Sequence, residues 1–463
     1  MVFSSLSFII IFLPLSLLCY YIVPKKSKNL VLLLFSIIFY YIGEQKLVLL
    51  MIFSSLIAYI SGLLIEKTNK NENKKIVLII SILINVLLLG YFKYFNLLID
   101  SINNIFGLNY KLFDIVLPIG ISFYTFQAMS YVIDIYRGSK AQKSYINFAT
   151  YLTFFGQLIA GPIVRYDDIE KEINNRKFDA NDFAYGIKRF CIGLSKKVLL
   201  ANVLSEFLQV YVASNSHTIL LAWMCGLVAP MQIYFDFSGY SDMAIGIGRM
   251  FGFHFIENFN YPLISKSATE FWRRWHISLG TWFRDYIYIP LGGNKVKVLR
   301  HILNILIVWG LTGLWHGAAY NFILWGLYYG ILLILEKYIY GKYLKKHSII
   351  ASIYAILITI IGFKIFNASS LNMVLESLLE LIGVGTYGFT NIITNYYVKS
   401  YIVVIIISII CATPLLKNIY LYINRNNSII LSYLSIVICI LLLVLCIAYL
   451  VDGSYNPFLY FRF

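Results

Sequence analysis

Long apolar runs, separated by short polar segments that are mostly basic, fill the chain from end to end. An α-helix needs about 20 residues to cross the hydrocarbon core of a bilayer. On that measure the runs at 2–23, 29–43, 46–65, 76–98, 112–136, 184–212, 218–236, 299–316, 318–339, 348–366, 399–416 and 428–451 predict eleven or twelve spans. Strands are excluded, because an open sheet edge leaves backbone groups unsatisfied in lipid and these runs are far too long for barrel strands. The prediction is an all-α, polytopic transmembrane helical bundle. One apolar run, 145–162, ends in Ala160-Gly161-Pro162 and leads into a charged stretch from Arg165 to Asp182. Gly and Pro break helices, so this segment predicts a re-entrant element that does not cross the membrane. No internal repeat or flexible linker interrupts the pattern. It therefore predicts a single membrane-embedded domain over 1–463, with N-terminal spans at 1–110, a core at 111–340 and C-terminal spans at 341–463.

Composition sharpens this picture. Hydrophobic residues make up 60% of the 463 and charged residues only 13%, more apolar surface than an aqueous fold can hide. The formal charge of +16 comes from bases lying between apolar runs, which reads as cytoplasmic loops and not as a nucleic-acid surface. Lys25, Lys26 and Lys28 follow the first span, and Lys67, Lys70, Lys74 and Lys75 follow the third. The positive-inside rule then puts the N-terminus outside and makes this a multi-pass protein of the cell membrane. The first 23 residues lack a basic leader and a small-residue cleavage site, so they predict a retained span. Six scattered cysteines show neither disulfide nor metal-ligand spacing, and no metal is expected.

Three polar segments interrupt this lipid-like background. Residues 265–300 hold seven Lys and Arg together with Trp272, Trp275 and Trp282. Read as one helix, 269–283 places Trp272, Trp275 and Leu279 on one side and Arg273 and Arg274 mostly elsewhere, the pattern of an interfacial helix. Such a basic lip either anchors the protein to headgroups or receives an anionic acyl donor, and His276 lies on it. His316 sits in Gly-Leu-Trp315-His316-Gly with apolar spans on both sides. An ionisable group at that depth is costly and normally lines a polar cavity, where imidazole serves as a general base; a structural hydrogen bond to a neighbouring helix is the plainer alternative. Residues 230–250 end a span yet contain Gln232, Asp236, Ser238, Tyr240 and Asp242. There Asp236 is a candidate partner for a histidine or for Arg249, and a structural hydrogen-bond network explains the segment equally well. There is no phosphate-binding Gly-rich loop, no His-Glu-x-x-His helix and no Gly-x-Ser-x-Gly elbow, so a covalent serine mechanism lacks support.

Taken in order, these segments resemble the membrane-bound O-acyltransferase family, in its bacterial alginate O-acetyltransferase branch. The resemblance is carried by Ser130-Tyr-Val-Ile-Asp134-Ile-Tyr-Arg137-Gly, Leu158-Ile-Ala-Gly161-Pro162-Ile-Val-Arg165, Phe235-Asp236-Phe-Ser-Gly239-Tyr-Ser-Asp242-Met-Ala, Phe271-Trp-Arg273-Arg-Trp275-His276-Ile-Ser-Leu, Gly313-Leu-Trp315-His316-Gly and the closing Asn456-Pro-Phe-Leu-Tyr-Phe-Arg-Phe463. It implies a bundle around a central tunnel, with His316 as the principal catalytic histidine and His276 as the second. Trp315, Gln232, Asp236, Tyr240, Asp242, Arg273, Arg274, Trp275 and Asn321 become candidates for binding substrate or lining the tunnel. One departure is Asn367 before Ala368, where this branch leads one to expect Arg.

The implied activity is transfer of an acetyl group from a cytoplasmic thioester to an extracytoplasmic polysaccharide. Acetyl-coenzyme A is the expected donor, with no bound cofactor, and an esterase-like partner outside the membrane is expected to complete delivery. Two rival readings are D-alanyl transfer from a carrier protein to teichoic acid and, from another class, a polysaccharide or lipid exporter. The longer C-terminal part argues against the first. The exporter predicts paired or inverted repeats, which are not found.

Overall fold

The computed structural model describes residues 1–159, 161–423 and 429–453. Within them the secondary structure is helical throughout, with no strand. Eight helical runs are long and apolar enough to cross a membrane: Lys25–Lys67, Asn71–Phe106, Ile219–Met250, Val298–His316, Tyr320–Lys346, Ser348–Asn367, Ile392–Cys411 and Tyr433–Val451. These runs hold nine of the twelve expected segments. Two of them lie in the run Lys25–Lys67 as the separate helices Lys28–Glu44 and Val48–Lys67, which meet at Gln45, a non-glycine residue with φ of 46°. Phe8–Ile22 is apolar but shorter. The span expected from 112 starts only at Ile121, because Pro118 and Gly120 precede it and Gly120 is left-handed. The motif from Asn456 to Phe463 and residue Ala160 lie outside the described residues.

The chain divides into two compact units. The first comprises Met1–Phe190 with Tyr240–Ile256. Its spans carry polar side chains that find partners inside the unit, as hydrocarbon requires. The Ser54 hydroxyl donates to Asn85 Oδ1 at 2.9 Å, and Asn85 Nδ2 donates to the Ser81 carbonyl at 2.9 Å. The segment expected to be re-entrant forms the helices Tyr145–Thr153 and Phe155–Leu158, broken at Phe154. Both are too short to span, and Phe148–Leu158 is buried throughout.

The second unit comprises Cys191–Gly239 and the residues from Glu257 on. Its centre is the antiparallel hairpin of Val298–His316 and Tyr320–Leu335, onto which Ser348–Asn367 packs. Small residues set the closeness of the hairpin. A Cβ on Gly313 would stand 2.3 Å from the Phe322 carbonyl oxygen, and one on Gly326 would stand 2.3 Å from that of Trp309. Backbone cannot yield as a side-chain tip can, so Gly313→Val is expected to wedge the hairpin apart and cost about 1–3 kcal/mol. Thermal unfolding of the purified variant in detergent checks this; an unchanged Tm would contradict the contact.

Candidate functional site

The stretch expected to form one helix over 269–283 is instead two, Ala268–Arg274 and Ile277–Phe283, with Trp275 and His276 at the break. His276 has φ of 46° and ψ of 55°, a left-handed conformation that costs a non-glycine residue about 1–2 kcal/mol. Asn258 holds the break in place. Its carbonyl oxygen accepts the Ile277 N–H at 2.9 Å, and its side-chain Oδ1 accepts the Ser278 hydroxyl at 2.9 Å and lies 3.1 Å from His276 Nδ1. Strain of this kind persists where surrounding bonds over-determine it, commonly in functional sites. Propensity favours an unbroken helix here; the bonds to Asn258, remote in sequence, override it.

The break turns His276 inward, and only 2% of it is exposed. Burial pushes its pKa down to about 3, so the ring is neutral at physiological pH. Because an unfolded histidine titrates near 6.5, the unfolded chain binds the proton that the folded site refuses between those values, and His276 makes stability fall as pH drops below about 6.5.

His316 ends the helix Val298–His316 and is likewise 2% exposed. The Trp325 ring packs edge-on against its imidazole at 4.8 Å and the Phe366 ring at 5.4 Å. Trp315 meets His276 at 5.5 Å, so one tryptophan separates the two histidines. Asn321 fixes this wall by donating to the Phe366 carbonyl at 3.0 Å. Asn367, the departure noted in the sequence, is exposed at the same helix end, while Lys364, one turn earlier, is buried with its ammonium 5.4 Å from the Tyr211 ring centre.

Both histidines line one cavity of about 380 Å³. Its wall includes His301, Ile305, Val308, Trp309, Thr312 and His316, spaced by three and four residues so that they share one face of a single helix. From His301 to His316 this face runs about 22 Å. Trp272 packs on Trp309 at 4.9 Å and on Trp325 at 5.2 Å, which places it between the ends. At the end away from His316, His301 is bridged by Tyr288 at 2.8 Å and Tyr338 at 2.5 Å, and Arg284 and Lys337 also line the cavity.

The predicted residues thus separate. His316, His276, Trp275 and Arg273 line the cavity, with Trp315 and Asn321 behind it. Arg274 is taken up by Glu270 at 2.7 Å and the Asn260 carbonyl at 3.2 Å. Gln232 and Asp236 are buried and do not line the cavity. The expected partners of Asp236 are corrected: it bonds Lys197 at 2.6 Å, neither residue more than 1% exposed, while Arg249 bonds Asp182 at 2.6 Å. Tyr240 and Asp242 belong to the other unit, where Tyr240 stacks on Phe3 at 4.4 Å and Asp242 bonds Arg189 at 2.7 Å. Sequence reading missed His301, Trp272, Trp325 and Asn258. Counting helical turns back from His316 would have found His301; nothing local marks Asn258.

A multi-pass membrane protein with two buried histidines and several cations on the wall of one cavity belongs to a definable class, and comparison specifies it. Residues 140–373 match the model of the membrane-bound O-acyltransferase family. The probable alginate O-acetylase AlgI of Pseudomonas aeruginosa is 40% identical over 399 residues, 85% of this chain and 77% of that one. Its counterpart of the same name in Pseudomonas putida is 36% identical over the full length of both. The peptidoglycan O-acetyltransferase of Helicobacter pylori is 34% identical over 421 residues, 83% of this chain and 80% of the other. The chain belongs to the membrane-bound O-acyltransferase family and is a membrane O-acyltransferase.

The break at His276 allows backbone and imidazole to be tested apart. Asn tolerates the left-handed conformation, so His276→Asn is expected to keep the Tm of the wild type, whereas His276→Ala lowers it by about 1 kcal/mol of stability. If the imidazole also takes part in the reaction, both variants lose acyl transfer; full activity in His276→Asn would confine the residue to structure.

Proposed function

We propose that the protein transfers an acetyl group from a cytoplasmic thioester to hydroxyl groups of an extracytoplasmic polysaccharide at the cell membrane, with the N-terminus outside and an esterase-like partner receiving or delivering the group there. The observation that carries this reading is the cavity: a histidine pair on its wall and, about 22 Å along one helix face from His316, His301 with Lys337 beside it. An extended pantetheine arm suits that reach, with the phosphates of acetyl-coenzyme A against the cations. The names of the relatives from Pseudomonas and Helicobacter support acetyl as the group and a surface polymer as the acceptor.

In this reading a ring nitrogen of His316 takes the proton of the acceptor hydroxyl as its oxygen attacks the thioester carbonyl carbon. The C–S bond of the tetrahedral intermediate then breaks. The thiolate leaves with the proton returned by the imidazolium, so the base is regenerated and no covalent enzyme intermediate forms. Negative charge gathers on the carbonyl oxygen in between and needs a donor. Trp272 and Trp325 each bury an indole N–H that meets no hydrogen-bond acceptor among the described residues. A buried donor left without a partner costs about 1–3 kcal/mol, and of the two only Trp272 lines the cavity, which makes its indole N–H the proposed ligand of the oxyanion. His276, held neutral, orients the acceptor beside Trp315.

Mass spectrometry of surface polymer from a deletion strain, complemented with the wild-type chain, tests the class of reaction. Loss of acetyl groups in the deletion supports the proposal. Loss of D-alanyl esters instead would support transfer to teichoic acid, and loss of the polymer itself would support export.

A further inference from the structure

Within the first unit, a polar pocket gathers positive charge at the end of the first apolar helix. Its wall includes Tyr20, Tyr21, Lys28, Arg176 and Lys177. The ammonium of Lys28 stands 4.5 Å from the Tyr20 ring centre and 5.2 Å from that of Tyr21. Arg176 Nε donates to the hydroxyl of the same Tyr20 at 3.1 Å, so two cations grip one ring. The other bonds of Arg176 go to the Glu172 carbonyl and to Asn29 Oδ1, and Lys25 donates to Asn175 Oδ1. Every one of these acceptors is neutral.

Asp179, Asp182 and Arg249 also line this pocket, and no carboxylate among the described residues bonds Lys28, Arg176 or Lys177. Asp182 receives Arg249 at 2.6 Å and lies 3.0 Å from His254, and Glu172 lies 2.7 Å from His254. Asp179 accepts the backbone N–H groups of Asn181 and Asp182. The charges bearing on Lys28 are those of Arg176 and Lys25, both of its own sign. Like charges held together around a pocket repel one another unless an anion joins them. Beside the cations the rings of Tyr21 and Phe178 meet edge-on at 5.4 Å, 36% and 62% exposed. Aromatic rings at the end of an apolar helix, next to bases, are the side chains that sit at headgroup level.

We propose that Lys28, Arg176 and Lys177 form a binding site for a phosphate group, carried by an anionic lipid of the adjoining leaflet or free in solution. Arg176 presents a fixed fork to the phosphate oxygens, Lys28 and Lys177 add point charges, and Tyr21 and Phe178 cover the lipid glycerol.

The test uses the full chain purified in mild detergent. Its Tm is followed during titration with phosphatidylglycerol, phosphatidylcholine or sodium phosphate, in the wild type, in Lys28→Gln/Lys177→Gln and in the control Lys345→Gln/Lys346→Gln. Binding to the folded state raises Tm with ligand concentration. Phosphatidylglycerol is expected to stabilise the wild type and the control alike. The Lys28→Gln/Lys177→Gln variant is expected to need about twenty-five-fold more of it, at about a factor of five for each lysine. A matching shift with sodium phosphate assigns the site to a soluble anion; a shift with the lipid alone assigns it to the membrane. The proposal is overturned if neither phosphate source stabilises the wild type. It is equally overturned if the control variant loses as much as the pocket variant does. Native mass spectrometry of the wild type gives a measurement that needs no variant: retained phosphatidylglycerol or retained inorganic phosphate supports the site, and retention of neither in preference to phosphatidylcholine removes it.

Discussion

Replacing His316 with Ala, or with the closer-fitting Gln, is expected to lower acyl transfer by about 10²–10⁴-fold, the range that a positioned acid–base group contributes. The imidazole packs against Trp325 and Phe366 on one side and lines the cavity on the other. Gln keeps volume and a hydrogen-bonding end but cannot cycle a proton. The measurement is acetyl content of surface polymer in a complemented deletion strain, with the variant's abundance in the membrane determined alongside. Acetylation at the wild-type level in His316→Gln would remove the histidine from the reaction while leaving the fold and family as they are.

The second large effect concerns the tryptophans. Trp272→Phe keeps an aromatic ring in the cavity wall but deletes the indole N–H, and Trp325→Phe does the same behind His316, outside the lining, as a comparison. Loss of one oxyanion donor costs about 10²–10³-fold in kcat. The donor engages the substrate chiefly as charge develops, so kcat is expected to fall while KM for the thioester changes little. A packing role gives a different signature, a lower Tm with kcat per folded enzyme unchanged. If Trp272→Phe turns over like the wild type, the oxyanion is held by other groups.

Much of this was open to reading along the chain. Apolar runs of about 20 residues require helices in lipid whatever their neighbours, so the bundle followed from hydropathy. His316 stood out for the same reason, because an ionisable group between two spans demands a polar surrounding. Counting was harder. Gln45 divides one long run into the two helices that hydropathy marks, whereas Gly120 delays another span, since hydropathy does not register where the backbone turns.

The sequence alone determined the solvent of the fold, the helical class, the histidine at depth and the ordered segments that resemble one family, because each rests on local composition or on spacing within one helix. Tertiary structure decided which polar residues meet. Asp236 is matched to Lys197, Arg249 to Asp182 and Asp242 to Arg189. The helix expected over 269–283 breaks at His276 because Asn258 supplies the bonds that hold the turn. Trp272, Trp309 and Trp325, read along the chain as plain apolar or interfacial residues, come together beside His316. Contacts between segments far apart in sequence depend on how helices pack, and side-chain pairing follows from that packing rather than from any local pattern.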